Sequence, residues 1–526
     1  MSQIPRYAQV IVDIAHADVD RVFTYAIPTG MALPIGARVE VPFGRQVKEG
    51  YVLGHADEAD LPESKIRQII RPLEDYPAIL PPLVALAQEL SQSAHCPLAE
   101  TLRLMIPAQM RGGRVRVKTQ KAAQLLVQGE GIQAARAAQT RSPKRRLLID
   151  LMADGQVHPV SELSLLVRSP LASLKVLEEA GVARVFDQEV LRAPYPDTPV
   201  REEDPTLTAA QQEALDELVP ALKRREGAFL LHGVTGSGKT EVYIRAVREC
   251  LRLGRGAIVL VPEIVLTPQM VSWFRGRFQD EAAVLHSRLS VGERFDEWRR
   301  IRMGAARVVI GARSAVFAPV EDLGLIIVDE EHEGSYLSER IPQYDAREVA
   351  ASRARREGAV TLMASATPSI LSFAKAQRGD YTLLEMPGRV NGLPLPEVTV
   401  VDMREELRLG NKGMFSMALL EELDRCMAQG QQAMLFINRR GYAPSVVCRK
   451  CGHTMGCTAC DVSLTWHAWD SKLHCHYCGQ TSPMPERCPA CGSPYLRTVG
   501  VGTQRVEEEV SRRYPGIEVV RVDNDT

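Results

Sequence analysis

The chain has 526 residues, of which 45% are hydrophobic and 25% are charged, and its formal net charge is −1. This length is too great for one hydrophobic core, so three or more domains are expected, while the near-zero total charge says nothing about nucleic acid by itself. No apolar run approaches the roughly 18 residues that span a bilayer, and the N-terminus lacks a signal-peptide core, so the sequence predicts a cytoplasmic protein without a membrane partner.

The first segment, residues 1–108, is predicted to be a β-rich domain. Short runs in which apolar and polar residues alternate occur at 8–12 and 37–41, and turn-forming residues separate them. From Ala78 to Met105 leucines recur at helical spacing, so this domain is expected to end in helices.

The next segment, residues 109–192, is basic and mostly helical in pattern. Between Arg111 and Asp150 there are ten Lys and Arg and two acidic residues. This local excess either steers a polyanion or forms a solvated linker face. Two helical patterns and a strand-like run at 142–186 predict a winged helix, with a plain helical spacer as the alternative. A Pro- and acid-rich linker is predicted at 193–206.

From Leu207 the pattern changes to apolar strands that alternate with helices, which predicts an α/β domain with a parallel sheet. Within it, residues 233–240 match the phosphate-loop pattern G-x-x-x-x-G-K-[ST] between a strand and a helix. Such a loop cradles phosphate oxygens with backbone N–H groups, while Lys239 is expected to reach the β- and γ-phosphates and Thr240 to bind Mg²⁺. The loop residues predicted to bind ATP and Mg²⁺ are Gly233, Gly236, Ser237, Gly238, Lys239 and Thr240.

Two carboxylates follow the apolar strand 325–328, where the carboxyl end of a strand faces the ligand. Asp329 is expected to hold Mg²⁺ and Glu330 to polarise the attacking water. Gln211, upstream of the phosphate loop, is expected to read the edge of adenine. The Ser and Thr of 365–368 are expected to relay the nucleotide state to DNA.

Other polar residues fall at predicted strand ends, at 261–269, 286–287 and 311–314. Such positions suit contact with the phosphates of one DNA strand, and ordinary loop capping is the alternative for each. Arg313 is the basic residue of the last group and is assigned to DNA.

Eight of the eleven cysteines form four C-x-x-C pairs. In a cytosolic chain this spacing predicts metal rather than disulfides, and eight thiolates make two tetrahedral, structural Zn²⁺ sites. Spacing alone leaves the pairing open. A nested arrangement would join an outer set (Cys448, Cys451, Cys488 and Cys491) and an inner set (Cys457, Cys460, Cys475 and Cys478).

The order of these segments resembles one family. LTAAQ, GVTGSGKT, LVPEIVLTPQ, LHSRLS, GARSAVFAP, DEEH, SATPS and INRRGYAP follow one another as in the PriA family of superfamily 2 DNA helicases, and the resemblance covers nearly the whole chain. It implies RecA-like helicase lobes, ATP-driven 3′-to-5′ unwinding, and recognition of stalled or repaired forks. It also implies forked and single-stranded DNA as ligands, other primosome and single-strand-binding proteins as partners, and the nested zinc pairing.

The same resemblance assigns residues to DNA contact. Phe23 and Lys65 match the family's pocket for the 3′ end of a nascent strand, and Tyr336 and Arg347 match its aromatic-rich loop. The chain departs from the family pattern at three places, with Thr24 where aspartate is usual, Leu337 where lysine is usual and Asp345 where histidine is usual. These departures predict weaker 3′-hydroxyl recognition and weaker coupling of DNA binding to hydrolysis.

The remaining segments complete the predicted order, which is helicase lobe 1 at 207–392, the start of lobe 2 at 393–445, the zinc module at 446–494 and further lobe 2 at 495–526. The apolar run at 433–437 is predicted to be a buried strand that starts this second α/β unit. Because the family pattern continues beyond residue 526, lobe 2 and its arginine fingers are expected to be incomplete. Two interpretations follow. The intact phosphate loop favours part of an ATP-driven helicase, and the missing motifs favour a non-hydrolysing fork-binding scaffold. A zinc-ribbon nuclease is disfavoured, because no paired-carboxylate cluster is found.

Overall fold

The computed structural model describes residues 6–59, 61–113, 115, 117–192, 205–263, 268–394, 396–437, 445–467, 470–499 and 503–522. Several segments that the sequence analysis singled out lie outside the described residues, namely 264–267, 438–444, 500–502 and residues 193–204 of the predicted linker. The chain divides into two compact units, residues 1–394 and residues 395–526.

The first unit begins with an antiparallel sheet, which confirms the predicted β-rich domain. Its strands are β1 (Tyr7–Val12), β2 (Phe23–Ala26), β3 (Arg38–Phe43), β4 (Gln46–Ala56) and β5 (Arg71–Pro72), in the order β2-β1-β4-β3-β5. Two helices follow, α1 (Pro81–Ser93) and α2 (Leu98–Leu102). The leucines Leu83, Leu86 and Leu90 of α1 are buried, as their helical spacing predicts.

A smaller helical domain follows, with a three-stranded antiparallel sheet in the order β7-β6-β8. Its elements are β6 (Thr119–Leu125), α3 (Glu130–Ala138), α4 (Pro143–Leu151), β7 (Val157–Pro159), α5 (Val160–Leu166), α6 (Pro170–Glu179) and β8 (Ala183–Glu189). Leu148, Leu163, Leu174 and Leu177 form the centre of its core. A short turn separates α5 from α6, and β8 follows them, which is the element order that a winged helix requires.

The largest domain of the first unit is an α/β domain. Its strands are β9 (Ala228–Gly233), β10 (Gly256–Leu260), β11 (Ala282–Leu285), β12 (Val308–Gly311), β13 (Leu323–Val328), β14 (Val360–Ser365) and β15 (Thr382–Met386). Its helices are α7 (Ala209–Arg224), α8 (Lys239–Arg252), α9 (Pro268–Phe278), α10 (Val291–Arg302), α11 (Ala346–Glu357) and α12 (Ile370–Arg378).

The seven strands pair in parallel in the order β11-β12-β10-β13-β14-β9-β15, which confirms the predicted parallel sheet. Every residue of β10, β12, β13 and β14 is buried. Their sequences are apolar apart from Thr361 and Ser365 of β14, which suits a sheet that is covered on both faces. Because β13, β14 and β9 are neighbouring parallel strands, the segments that follow them emerge at the same edge of the sheet.

The N-terminal helices and the α/β domain share one hydrophobic core. Leu83 and Met105 belong to the same cluster of buried residues as Trp298 and Phe317. Hydrogen bonds cross the same boundary, since the Trp298 indole N–H donates to the Met105 carbonyl at 3.4 Å and the Arg302 guanidinium donates to the Pro77 carbonyl at 2.9 Å. The β-rich domain is therefore fixed to the α/β domain by apolar packing and not by a flexible linker.

The second unit contains a five-stranded antiparallel sheet in the order β19-β18-β17-β16-β20. Its elements are α13 (Met403–Arg408), α14 (Met417–Ala428), β16 (Ser445–Cys448), β17 (Thr465–His467), β18 (Lys472–His474), β19 (Thr481–Pro483), β20 (Leu496–Val499) and α15 (Thr503–Arg513). Within the described ranges of both units, no helix is long and apolar enough to cross a membrane.

The prediction of a strand at 433–437 is wrong, because these residues have no regular secondary structure. Met434 and Phe436 are 93% and 84% exposed. A strand needs a neighbour to take up its backbone hydrogen bonds, and among the described residues none pairs with this segment.

Candidate nucleotide site, DNA-end pocket and zinc centres

The phosphate loop leaves β9 and enters α8 at Lys239. Gly236 and Gly238 have φ values of 81° and 80°. A Cβ atom on Gly238 would lie 2.4 Å from Gln211 Nε2, so both the backbone conformation and the available space require glycine. The first N–H groups of α8 therefore face the loop, which is the arrangement that binds a phosphate.

Two side chains of the loop fit a bound polyphosphate. The Lys239 ammonium donates to the Gly233 carbonyl at 2.8 Å. The Ser237 hydroxyl is buried and has no hydrogen-bond partner among the described residues. A buried hydroxyl without a partner costs free energy, and a phosphate oxygen of ATP would supply the missing acceptor.

Gln211 holds the phosphate loop in the structure. Its side-chain oxygen accepts from the Thr208 N–H at 2.8 Å, and its Nε2 donates to the Gly238 carbonyl at 3.2 Å. The residue is 3% exposed. Both polar atoms of the Gln211 amide therefore form hydrogen bonds within the protein. The predicted contact with adenine would require one of these hydrogen bonds to break.

Asp329 lies directly after β13 and is 7% exposed. Its Oδ1 accepts from the Tyr243 hydroxyl at 2.7 Å and from the Glu330 N–H at 3.0 Å. Burial raises the pKa of Asp329, and the charge of Glu330 acts in the same direction, while the Tyr243 hydroxyl and Lys239 oppose them. A cation at this carboxylate would favour its charged form, so the site suits the Mg²⁺ that accompanies ATP.

Glu330, the predicted water-polarising residue, has a φ of 43°. Few non-glycine residues adopt this left-handed conformation, and where they do the surrounding structure must hold them. The side chain is about one-third exposed and its carboxylate lies 3.6 Å from His332 Nδ1. Glu330 is thus the member of the acidic motif whose carboxylate remains open to solvent and to substrate.

The next residue, Glu331, connects the acidic motif to the start of α12. Its buried carboxylate accepts from the Ser369 N–H at 2.6 Å, the Ser369 hydroxyl at 3.0 Å and the Ser372 hydroxyl at 2.7 Å. A second link joins His332 Nδ1 to the Ser365 hydroxyl at 2.7 Å. Glu331 is not among the residues predicted from the sequence, although a third consecutive carboxylate after a buried strand indicates a side chain that needs hydrogen-bond partners.

The aromatic-rich loop is tied to the same motif from its other side. Tyr336 is fully buried, and its hydroxyl donates to the Asp329 carbonyl at 2.6 Å. The Arg347 guanidinium donates to the Glu331 carbonyl at 2.7 Å and to the Asp345 carboxylate at 2.7 Å. Both residues predicted to contact DNA therefore also hold the backbone of the acidic motif.

Asp345, which stands where the family has histidine, begins α11. Its carboxylate accepts from the Arg347 N–H at 2.9 Å and caps the helix. Arg313 donates to the carbonyl oxygens of Ser335 and Leu337, and its guanidinium lies 5.8 Å from the centre of the Tyr344 ring. Arg313 thus lies against the aromatic-rich loop and not against a carboxylate.

The predicted DNA-end pocket lies in the β-rich domain. The Phe23 ring packs edge-on against Phe43 with ring centroids 5.3 Å apart, and the Arg21 guanidinium lies 5.1 Å from the centre of the Phe23 ring. Lys65 is exposed. Ala26, three residues after Phe23, forms a parallel bridge with Gln68, three residues after Lys65, so the segments that carry the two predicted contacts are neighbours.

The eight cysteines form two sets of four whose sulfur atoms lie within 4.8 Å of one another, and they are the nested sets that the resemblance implied. Sulfur–sulfur distances are 3.6 Å for Cys448 and Cys491, 3.7 Å for Cys451 and Cys488, and 3.7 Å for Cys457 and Cys478. Four Zn–S bonds of about 2.3 Å in a tetrahedron require sulfur atoms about 3.8 Å apart. The two sets therefore fit two structural Zn²⁺ ions.

Each C-x-x-C pair closes through the same backbone hydrogen bond to the carbonyl of its first cysteine. The donors are Gly452 (2.8 Å), Asp461 (3.2 Å), Gly479 (2.9 Å) and Gly492 (2.9 Å). All four donors have positive φ, and aspartate is one of the few other residues that tolerates this conformation. The backbone N–H groups of Cys478 and Tyr477 lower the pKa of Cys475 to about 7, which favours the thiolate that binds zinc.

Comparison with known proteins gives matches along most of the chain. Three family models match: the PriA 3′ DNA-binding domain at 9–107, the DEAD/DEAH box helicase at 208–374, and the PriA DNA helicase Cys-rich region at 457–483. The replication restart protein PriA of Bacillus subtilis is 38% identical, with 99% of this chain and 73% of the relative covered. The PriA proteins of Synechocystis and Haemophilus influenzae are 35% and 33% identical, and the alignments cover 72% and 69% of their lengths.

We expect the protein to bind two Zn²⁺ per chain. The Cys475→Ser substitution removes one ligand of the inner set and is expected to leave about one Zn²⁺, because the two sets share no residue. Elemental analysis of the purified full chain measures this content. Cys426→Ser, which changes a cysteine outside both sets, is the control, and loss of both ions from the Cys475→Ser protein would contradict independent sites.

We expect Glu331→Ala to weaken the attachment of α12, because it leaves three donors at the start of this helix without their acceptor. The free energy of opening of the first α12 amides should fall by about 2–3 kcal/mol. Hydrogen exchange on the full chain measures this value. Glu331→Gln keeps one acceptor oxygen, so its free energy of opening should fall less. An unchanged exchange rate in the Glu331→Ala protein would contradict the link between Glu331 and α12.

Proposed function

Because the chain belongs to the PriA family of replication restart proteins, we propose that it translocates 3′ to 5′ on DNA, recognises stalled or repaired replication forks and begins primosome assembly there. The chain is a DNA helicase, an ATP-hydrolysing enzyme with a 3′ DNA-binding domain. The observation that carries the proposal is the position of the phosphate loop and the acidic motif at one sheet edge, within a unit that also contains the DNA-end domain.

In this proposal each residue at the sheet edge has its own role in ATP hydrolysis. Lys239 neutralises charge on the β- and γ-phosphates, and Thr240 and Asp329 hold Mg²⁺, which supplies further neutralisation when it is bound. Glu330 orients the attacking water and accepts its proton, because its carboxylate is the open one of the motif. The loop residues Gly233, Gly236, Ser237 and Gly238 cradle the phosphates, and Gln211 holds the loop beside the base.

DNA contact is proposed for both sides of the first unit. Phe23 provides a ring against which the terminal base stacks, and Lys65 an exposed cation for the terminal phosphate. Tyr336 lies in the loop that follows the acidic motif, Arg347 lies at the start of α11, and Arg313, which follows β12, donates to that loop. DNA at Arg347 would act on the Glu331 carbonyl that this residue holds. Tyr336 is fully buried, so its proposed role is to pass movement of the loop to the Asp329 carbonyl.

The remaining parts of the proposal concern domains and partners. We propose the boundaries given by the sequence, with a winged helix within 109–192 and a second-lobe segment on either side of the zinc module. Other primosome proteins and single-strand-binding protein are the proposed partners, and the cytoplasm is the proposed location. The non-hydrolysing scaffold is not favoured, because the phosphate loop and the acidic motif of a DEAD/DEAH box helicase are both present.

We expect Lys239→Ala to separate hydrolysis from DNA binding. Loss of the ammonium should lower ATP turnover in the presence of a fork with a 3′ end by at least about a hundredfold, since this charge acts on the transferring phosphate. Phosphate release and fluorescence anisotropy measure turnover and fork affinity. Lys223→Ala, which removes an exposed lysine of α7, is the control, and equal loss of turnover and fork binding by Lys239→Ala would contradict the proposal.

We expect Lys65→Ala to weaken binding to forks that carry a 3′ end by about threefold to tenfold, with little change for blunt duplex of the same length. Arg45→Ala removes an exposed cation from the β3–β4 turn of the same domain and serves as the matched control. If both substitutions weaken all DNAs equally, Lys65 contributes only general attraction and the end pocket is not at this position.

A further inference from the structure

The segment after β15 lies along the phosphate loop. The Met386 carbonyl accepts from the Val234 N–H at 3.2 Å, and the Val390 N–H donates to the Gly236 carbonyl at 3.0 Å. A Cβ atom on Gly238 would also lie 2.9 Å from the Val390 side chain. We call residues 386–390 the strap, and its hydrogen bonds fix it to the loop at Val234 and Gly236.

Arg389 is the basic residue of the strap, and its aliphatic carbons lie against the loop. Its Cγ and Cδ are 3.8 Å and 3.9 Å from the position that a Cβ atom on Gly236 would occupy. Its Nε is buried and has no hydrogen-bond partner among the described residues. Nor does any carboxylate in the described ranges form an ion pair with Arg389, whereas the buried arginines Arg38, Arg302 and Arg353 each have one.

A partly desolvated guanidinium without an anion is costly. Arg389 lies against the phosphate loop, which also carries two other positive groups, the Lys239 ammonium and the N-terminal end of α8. A polyphosphate would supply acceptors to all three. Arginine suits this ligand, since its planar group donates two parallel hydrogen bonds to phosphate oxygens.

We propose that Arg389 is a nucleotide-binding residue, whose guanidinium donates to the polyphosphate of ATP in the phosphate loop. The proposal rests on the proposed function of that loop and adds a contact from outside it. The backbone hydrogen bonds of the strap hold Arg389 beside the loop, so the residue is already in position before ATP binds.

The test is a titration of fluorescent ATP and ADP, with Mg²⁺, into the full chain and four arginine variants. Arg389→Ala removes the side chain, Arg389→Met keeps its apolar length without charge, and Arg389→Lys keeps charge without the planar group. Arg378→Ala removes an exposed arginine at the end of α12 and is the matched control.

We expect Arg389→Ala and Arg389→Met to weaken ATP and ADP binding by about tenfold or more, the usual effect of losing a charge-assisted hydrogen bond. Arg389→Lys should lose less and Arg378→Ala nothing, and the affinity of the methionine protein should depend less on salt. Unchanged affinity in Arg389→Ala would overturn the inference, as would full affinity in Arg389→Met, because the role would then be packing. Wild-type protein that binds ATP no better than Lys239→Ala would overturn the proposed nucleotide site itself.

Discussion

At the carboxyl end of β13, three consecutive carboxylates leave a fully buried strand, and each must find hydrogen bonds or lose its charge. Asp329 finds a tyrosine hydroxyl and a backbone N–H, and Glu331 finds three donors at the start of α12. Glu330 lies between them in a left-handed conformation with its carboxylate open. The hydrogen bonds of Asp329 and Glu331 thus fix the backbone on either side of Glu330. The position of the Glu330 carboxylate, the predicted water-activating group, depends on these bonds.

The same constraint explains why the acidic motif and the aromatic-rich loop of the first unit are joined by hydrogen bonds. Tyr336 and Arg347 hold the carbonyls of Asp329 and Glu331, so the aromatic-rich loop shares its anchors with the acidic motif. The DNA-end domain joins the sheet through a common apolar core, which resists independent movement of its parts. The two elements predicted to contact DNA are therefore joined to the sheet edge by packed and hydrogen-bonded neighbours.

Much of this architecture could be predicted because its signals are local. Uninterrupted apolar runs indicated the parallel strands, and C-x-x-C spacing indicated the metal ligands, since each depends on residues close in sequence. The zinc pairing and the partners of Glu331 could not be derived, because they depend on which segments the topology brings together. The strand expected at 433–437 failed for a related reason, since an apolar run becomes a strand only where a neighbour accepts its hydrogen bonds.

The residues that depart from the family pattern have structural roles that a motif comparison does not reveal. Asp345 replaces a histidine, yet its carboxylate caps α11 and holds Arg347, which in turn donates to the Glu331 carbonyl. A histidine ring would provide neither the negative charge at the helix start nor the bidentate acceptor for the guanidinium. The Asp345 carboxylate therefore contributes to the attachment of the aromatic-rich loop to the acidic motif, because it holds the guanidinium that donates to the Glu331 carbonyl.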